Sequence, residues 1–264
     1  MNHSFISVTC VVQSAYSVSQ LSAWLQGVYA ELQAQFSHFE FIVVNNHADI
    51  EAIDAAIRPL PEALRQHVFL LNLSAPVSRD NAILAGLDRA NGDYTVVFEF
   101  DFMDHPQLIT QLWEKGQQHY DIVYMRARQR HLPLAHRMLY RLFYAILHHY
   151  SNLRIDPWAH HTRIISRRAL NSLLRLRENS RYLKANYAFV GYRTAWLDTQ
   201  TPLHPEAGTP FGQQFGNALV VITSFTDFLR SLLLWIFIAS FLAAAVSIIN
   251  AVKVKYTNVD IFGQ

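Results

Sequence analysis

Five short runs of β-branched and apolar residues mark the first half of the chain. They are Ile6 to Val12 (ISVTCVV), Phe39 to Val44 (FEFIVV), Val68 to Leu71, Tyr94 to Phe100 (YTVVFEF) and Ile122 to Tyr124. Each has the length and composition of a strand. Between them, apolar residues recur every three or four positions. Leu21, Leu25, Val28 and Leu32 form one stripe and Ile83, Leu84 and Leu87 another, which is the period of a helix with one buried face. Pro106 and Gln107 open a further helix, with Leu108, Ile109 and Leu112 on its inner side. Strands alternating with helices predict an α/β fold, a Rossmann-like, mostly parallel sheet flanked by helices. Ligands of such sheets bind at the carboxyl ends of the strands. Asn45, Asn46 and the stretch from Glu99 to Asp104 then share one rim.

The pattern changes near the end. Ser231 to Val252 reads SLLLWIFIASFLAAAVSIINAV, without a charge. At 1.5 Å per residue this run reaches about 30 Å, the thickness of a bilayer core. Arg230 precedes it, Lys253 and Lys255 follow, and Trp235 and Tyr256 stand where interfacial anchors belong. A buried core helix is the alternative. Met1 to Cys10 lacks the basic start and long apolar stretch of a secretory signal. Residues 1–210 are therefore expected as a cytosolic domain at the inner membrane. Residues 211–230 would be juxtamembrane and residues 231–252 transmembrane. Residues 253–264 would form a polar tail, or the start of a loop to a second crossing.

Composition narrows the class. Hydrophobic residues make up 51% of the 264 and charged residues 16%, against a usual charged share of about 25%. Intrinsic disorder is excluded. The single cysteine, Cys10, excludes an internal disulfide framework and a Cys-rich metal site. The net charge is only +2, yet eleven arginines lie between Arg126 and Arg177, with Asp156 the sole acid among them. Such a block needs either abundant water, as a solvated helical face, or an anionic neighbour: phosphates, nucleic acid or an acidic membrane surface. The arginines lack the aromatic interleaving of a base-stacking platform, so nucleic acid is set aside.

The sharpest local motif is Glu99-Phe100-Asp101-Phe102-Met103-Asp104. Alternation along a strand would aim Glu99 and Asp101 the same way. Together with Asp104 they are the candidate ligands of a divalent cation, Mg²⁺ or Mn²⁺, which would in turn hold a diphosphate. Alternatively, Asp104 caps the following helix and the other two are solvated. The adjacent pairs His148-His149 and His160-His161 point apart on any regular element and read as structural or interfacial. His148 and His149 fall in RLFYAILHHY, a helix expected to rest on the membrane surface.

In order and spacing, several segments resemble a known group. They include ISVTCVV, FEFIVVNN, NAILAGLDRANGDYTVVFEFDFMDHPQLI, YDIVYMRARQR, TRIISRRAL and RYLKANYAFVGYR. The chain resembles the membrane-associated family-2 glycosyltransferases that charge polyprenyl phosphates, the dolichol-phosphate mannosyltransferase and bacterial polyprenyl-phosphate glucosyltransferase group. The resemblance implies a GT-A fold, a nucleotide-sugar donor, a divalent metal and a polyprenyl phosphate acceptor. It also implies a homo-oligomer or a complex with a related membrane protein. The family's D-x-D falls on Glu99-Phe100-Asp101, with Asp104 a further acid. Arg79 falls where the family commonly has Lys, and Arg128 and Arg163 where it has arginines near phosphates and acceptor. The paired aspartates that hold the nucleotide base are here Asn45 and Asn46. The acid before the family's F-R pair is His161, and the late G-x-S-K-Y is reduced to Gly208-Thr209-Pro210-Phe211. By this resemblance Asp101, His161 and Arg163 are the candidate catalytic residues. Asn45, Asn46, Arg79, Glu99 and Arg128 are the candidate donor-binding residues. Two functions compete: a divergent inverting glycosyltransferase, or an inactive relative serving as partner subunit of a membrane glycosylation complex.

Overall fold

A computed structural model describes residues 2–129, 134–151, 155–176, 182–203 and 211–261. The chain opens with β1 (Asn2–Val12), α1 (Ala15–Gln35), β2 (Phe36–Asn45), α2 (Ile50–Ile57), α3 (Glu62–Arg65) and β3 (Val68–Asn72). It continues through α4 (Arg79–Arg89), β4 (Tyr94–Val97), a 3-10 turn at Phe100–Phe102, α5 (Leu108–Gln117) and β5 (Ile122–Ala127). Then come α6 (Leu134–Tyr150), β6 (Ala159–Ser166), α7 (Arg167–Arg175), α8 (Leu183–Phe189) and β7 (Thr194–Thr199). Last are α9 (Phe211–Phe225) and α10 (Phe228–Ile261).

Among the described residues the strands form one sheet in the order β3-β2-β1-β4-β6-β5-β7. The pairings β1–β2, β1–β4, β2–β3 and β5–β7 are parallel. β6 alone runs against both its neighbours. Because of that reversal, the first residues of β6 lie beside the last residues of β4 and β5. The carboxyl rim therefore gathers Asn45 and Asn46, the exit of β4, the exit of β5 and the start of β6.

Period-two alternation builds a core on each face. Ile6, Val8, Cys10 and Val12 of β1 join Phe41 and Val43 of β2 beneath Trp24, Leu25 and Val28 of α1 and Ile109 and Leu112 of α5. On the other face Ile42, Val44, Val97 and Ile165 pack against Ile83 and Leu87 of α4, Leu170 and Leu173 of α7 and Tyr187 of α8. The entry to β4 is fixed by a polar knot. Ser7 Oγ donates to Glu40 Oε1 at 2.7 Å, Gly92 N donates to Ser7 Oγ at 2.7 Å, and Asn91 N donates to Glu40 Oε1 at 2.8 Å. A Cβ on Gly92 would lie 2.6 Å from Ser7 N and 2.7 Å from Phe5 O, both backbone atoms. Gly92→Ala is therefore expected to destabilise the domain by about 2 kcal/mol or more, as overpacking against backbone does. A urea-unfolding midpoint equal to wild type would show that the approach of β4 to β1 is looser than this.

At the other end, α6 packs on α9 and α9 on α10. The Tyr150 ring meets Phe228 at 5.1 Å, and Asp227 N donates to Tyr150 O at 3.3 Å. α10 starts three residues before the apolar run and continues past it to Ile261. The expected polar tail is thus helical as far as 261. Residues 228–253 form a stretch long and apolar enough to cross a membrane, and none of it is buried in the protein.

Candidate functional site

β4 ends at Val97, whereas β6 begins at Ala159 and first pairs with β4 where Arg163 meets Val97. Residues 160–162 therefore overhang the end of β4 and lack its ladder partners. Glu99 supplies them. Its Oε2 accepts from the amides of His161 at 3.1 Å and Thr162 at 3.3 Å, while Glu99 N donates to Thr162 Oγ1 at 3.0 Å. Oε1 is bound by Arg79 Nη2 at 2.5 Å, from the first residue of α4. Glu99 is 8% exposed. Burial alone would raise its pKa, but Arg79, and after it His161, His160 and Lys184, override that and hold it at about 2.

This geometry separates the three acids expected to share a cation. Strand alternation does not extend to Asp101, because Phe100–Phe102 is a 3-10 turn. Glu99 points into the protein, and Asp101 and Asp104 are exposed. Among the described residues, no three His, Cys, Asp or Glu side chains are grouped so that they could hold a metal ion. Glu99 is engaged by Arg79 and two backbone amides, so Asp101 and Asp104 are the acids of the motif that could hold a divalent cation together with a diphosphate. The alternative for Asp104 fails too, since α5 begins later, at Leu108, without a side-chain cap.

Arg163 was expected near the acceptor; the structure buries it at 2% exposure. Its Nε and Nη2 donate to the carbonyls of His161 at 3.1 Å and His160 at 2.6 Å, and the guanidinium lies 3.8 Å from the centre of the Tyr187 ring. It braces the start of β6 from within. His161 sits beside Glu99 with Nδ1 3.6 Å from Asp80 Oδ1. Burial pushes its pKa well below the ordinary value, so the imidazole is neutral at pH 7. His160 is likewise lowered by burial; its Nε2 lies 3.2 Å from Thr201 O and its ring meets the edge of Phe102.

Asn45 and Asn46 reach the rim but are occupied by the fold. Asn45 Nδ2 donates to Asn72 Oδ1 at 3.0 Å, and its Oδ1 accepts from Ala48 N at 2.8 Å. Asn46 pairs with the backbone of Val77 in both directions, each bond 2.9 Å. They fasten the loop after β3 to the exit of β2. Arg128, at the exit of β5, lies 3.7 Å from Asp198, with both side chains largely in solvent.

The basic block divides. Arg126 pairs with Asp156 at 3.1 Å, Arg167 donates to the carbonyls of Gly92 and Ala90, and Arg168 binds Asp121. The last two sit at the opposite edge of the sheet. Arg141 and Arg175 are exposed. Arg130, Arg154, Arg177, the side chain of Arg137 and residues 208–210 of the late motif lie outside the described residues.

Two participants were not anticipated. Asp80 Oδ2 accepts from Leu183 N at 2.8 Å, tying α4 to α8. Lys184, the next residue, is close enough to act electrostatically on Glu99, His160 and His161. A lone lysine at the start of an otherwise uncharged LKANYAF helix was the available signal. From the same helix start, Tyr182 shares a 2.7 Å hydroxyl contact with Tyr144 of α6. The polar corner is thereby linked to the helices that lead to α10.

Comparison with known proteins agrees with this architecture. Over 210 residues the chain is 27% identical to the uncharacterized glycosyltransferase sll0501 of Synechocystis, covering 78% of this chain and 64% of that protein. It is 27% identical to the prophage bactoprenol glucosyl transferase homolog of Escherichia coli K12, over 69% of this chain and 60% of that one. The chain spans between 48% and 64% of the length of the first three curated relatives it matches. Glucosyl-3-phosphoglycerate synthase from Mycobacterium tuberculosis, solved with Mn²⁺, UDP and phosphoglyceric acid, superposes with a TM-score of 0.53. That match has 13% identity and covers 83% of this chain and 76% of the other. At that identity the likeness is one of fold, a GT-A-like sheet flanked by helices. Residues 10–174 match the family described as Glycosyl transferase family 2, and the chain belongs to that family.

Proposed function

We propose that this protein transfers a sugar from a nucleotide-sugar donor to a polyprenyl phosphate at the membrane, with inversion at the anomeric carbon. One observation carries the acceptor side of this reading. The polar corner at the carboxyl rim connects through Tyr182 and Tyr144 to α6, and α6 packs on α9, which leads into the apolar α10. A lipid phosphate held at the bilayer surface lies on the path between them. The relatives named as bactoprenol glucosyl transferases support the same acceptor class. We place the domain on the cytosolic face of the inner membrane, where Arg141 beside the exposed Met138 and Leu142 of α6 would meet anionic lipid.

In this reaction an oxygen of the lipid phosphate attacks the anomeric carbon, the carbon–oxygen bond to the nucleoside diphosphate breaks, and the diphosphate leaves with the electron pair. A phosphate monoester has its second pKa at about 6 and is already largely ionised at neutral pH. No strong base is required of the protein, which suits a neutral His161. The chain's own task is to seat the diphosphate and to shield the site from water, which would otherwise compete with the lipid. An inactive partner subunit has no observation in its favour, since the relatives above are named as transferases.

The test is transfer itself. Detergent-solubilised full-length protein is incubated with radiolabelled UDP-glucose or GDP-mannose, with and without undecaprenyl phosphate. Label extractable into chloroform–methanol is expected only when the lipid is present. Label that never enters the organic phase with either donor, from protein shown to be folded, would reject the assignment.

A further inference from the structure

Three connections join the sheet to α6 and α9, and all of them leave it at one corner. β5 ends at Ala127 and α6 begins at Leu134; α6 ends at Tyr150 and β6 begins at Ala159; β7 ends at Thr199 and α9 begins at Phe211. Because β6 runs antiparallel to β5 and β7 runs parallel to it, these junctions share the carboxyl rim. They also share one side, since β6, β5 and β7 close the strand order and β3 lies at the far edge. This corner is near the start of α10. The Tyr150 ring lies against Phe228, where α10 begins. Asp156, six residues after Tyr150, is fixed to β5 by Tyr124 Oη at 2.9 Å and Arg126 Nε at 3.1 Å. Six residues span about 20 Å at most.

A lone exposed tryptophan means little on a protein surface. Beside the entry to an apolar helix it means more. Trp196 of β7 is 47% exposed, and the Arg126 guanidinium lies 5.1 Å from the centre of its ring. Trp196 stands opposite Tyr124 in the ladder, so both project from the face of the sheet that α8 covers, where Arg163 packs between Tyr124 and Tyr187. α6 lies towards that same face, with Phe143 6.1 Å from Tyr182 at the start of α8. Its exposed Met138 and Leu142 are the residues already assigned to lipid. An indole with an apolar body and a polar edge, stacked with an arginine, has the chemistry of a headgroup-level anchor.

We propose that the β7 edge of the sheet rests on the bilayer, with Trp196 and Arg126 in the phospholipid headgroup layer and the β3 edge held away from it. The inference rests on the membrane reading given above and adds which side of the domain faces lipid. In this orientation the exits of β5 and β7 open towards the lipid phosphates. The exits of β2 and β3 open towards water, from which a soluble donor arrives.

Depth-dependent fluorescence quenching tests this on the full chain. Cys10 is buried, so single engineered thiols can carry a bimane label. Asp198→Cys and Gln200→Cys report on β7 and its exit, Ser74→Cys on the exit of β3 and Ala243→Cys on α10; all four native residues are exposed. Each labelled protein is placed, one copy per disc, in nanodiscs of phosphatidylcholine and phosphatidylglycerol. A nitroxide is carried either on the lipid headgroup or deep in the acyl chain. The labels at 198 and 200 should lose most of their emission to the headgroup nitroxide, the label at 74 should keep its emission, and the label at 243 should be quenched from the acyl chain. Full emission at both 198 and 200, with 243 quenched, would overturn the inference and leave the membrane reading standing. Equal quenching at 74 would also overturn it, because the whole rim would then face lipid. Protection of 198 and 200 that needs two copies in a disc would assign the edge to a second copy of the chain instead. A label at 243 that no lipid nitroxide reaches would overturn the membrane reading as well.

Discussion

Arg79→Ala is expected to lose about 3 kcal/mol of folding stability, because it strands a buried, ionised carboxylate at the end of β4. The partial exposure of Arg79 keeps the figure at the lower end of what breaking a buried pair costs. Glu99→Gln should be milder at neutral pH, since an amide oxygen can still accept from His161 N and Thr162 N and the released guanidinium can turn to water. The double variant should recover part of the Arg79→Ala loss, the sign of a coupled pair.

Acid supplies a second axis for the same experiment. The Glu99 carboxyl is lowered from 4.5 to about 2 in the folded protein. A depressed carboxylate contributes stability that is complete above its unfolded value and disappears as pH falls towards its folded one. Between pH 6 and pH 3 the wild type should therefore lose about 2 kcal/mol more than Glu99→Gln, which has nothing to protonate there. Urea unfolding at the two pH values reads this directly. Parallel losses in the two proteins would show that Glu99 is not ionised against Arg79 in the way its geometry indicates.

Removal of residues 228–264 is the second change with a large expected effect. α10 exposes Leu233, Trp235, Phe237 and Phe241 at 62–68% of their surface, none of them covered among the described residues. The full chain should resist extraction from membranes by alkaline carbonate, and the shortened one should appear in the supernatant. A point change tests the same helix more gently. Arg in place of Ala243, near the middle of the apolar stretch, costs about 3 kcal/mol of insertion free energy. The shortened protein still carries exposed Met138, Leu142, Leu219 and Val220 on α6 and α9. Weak, salt-sensitive attachment to anionic vesicles should therefore remain. Carbonate-resistant attachment of the shortened chain would identify α6 and α9, not α10, as the principal anchor.

The framework was legible because it obeys simple periods. The runs from 6 to 12, 39 to 44, 68 to 71 and 122 to 124 are strands, and Leu21, Leu25, Val28 and Leu32 are all buried on α1. The apolar run at 231–252 lies inside α10. The corner was not legible, for three reasons. The run from 94 to 100 looks like one strand, but β4 stops at Val97 and a turn follows, so alternation no longer predicts where Glu99 and Asp101 point. β6, antiparallel and distant in sequence, supplies the free amides that capture Glu99, and no local pattern announces that pairing. Arginine is ambiguous by nature. Arg163 and Arg167 bind backbone carbonyls inside the domain, whereas composition had counted them with cations available to an outside partner. Asn45 and Asn46 show the same limit: their position on the rim was readable, but their engagement with Asn72 and Val77 was not.

Cys10 lies towards the carboxyl end of β1, an interior strand of the sheet, 2% exposed, with its thiol pKa raised by burial. It is the only cysteine in the chain. A maleimide or a spin probe should therefore ignore the native protein, and a reporter can be attached at any single engineered thiol without first removing Cys10. The same seclusion makes the natural residue a clock: the rate at which it becomes alkylated counts how often the heart of the sheet opens.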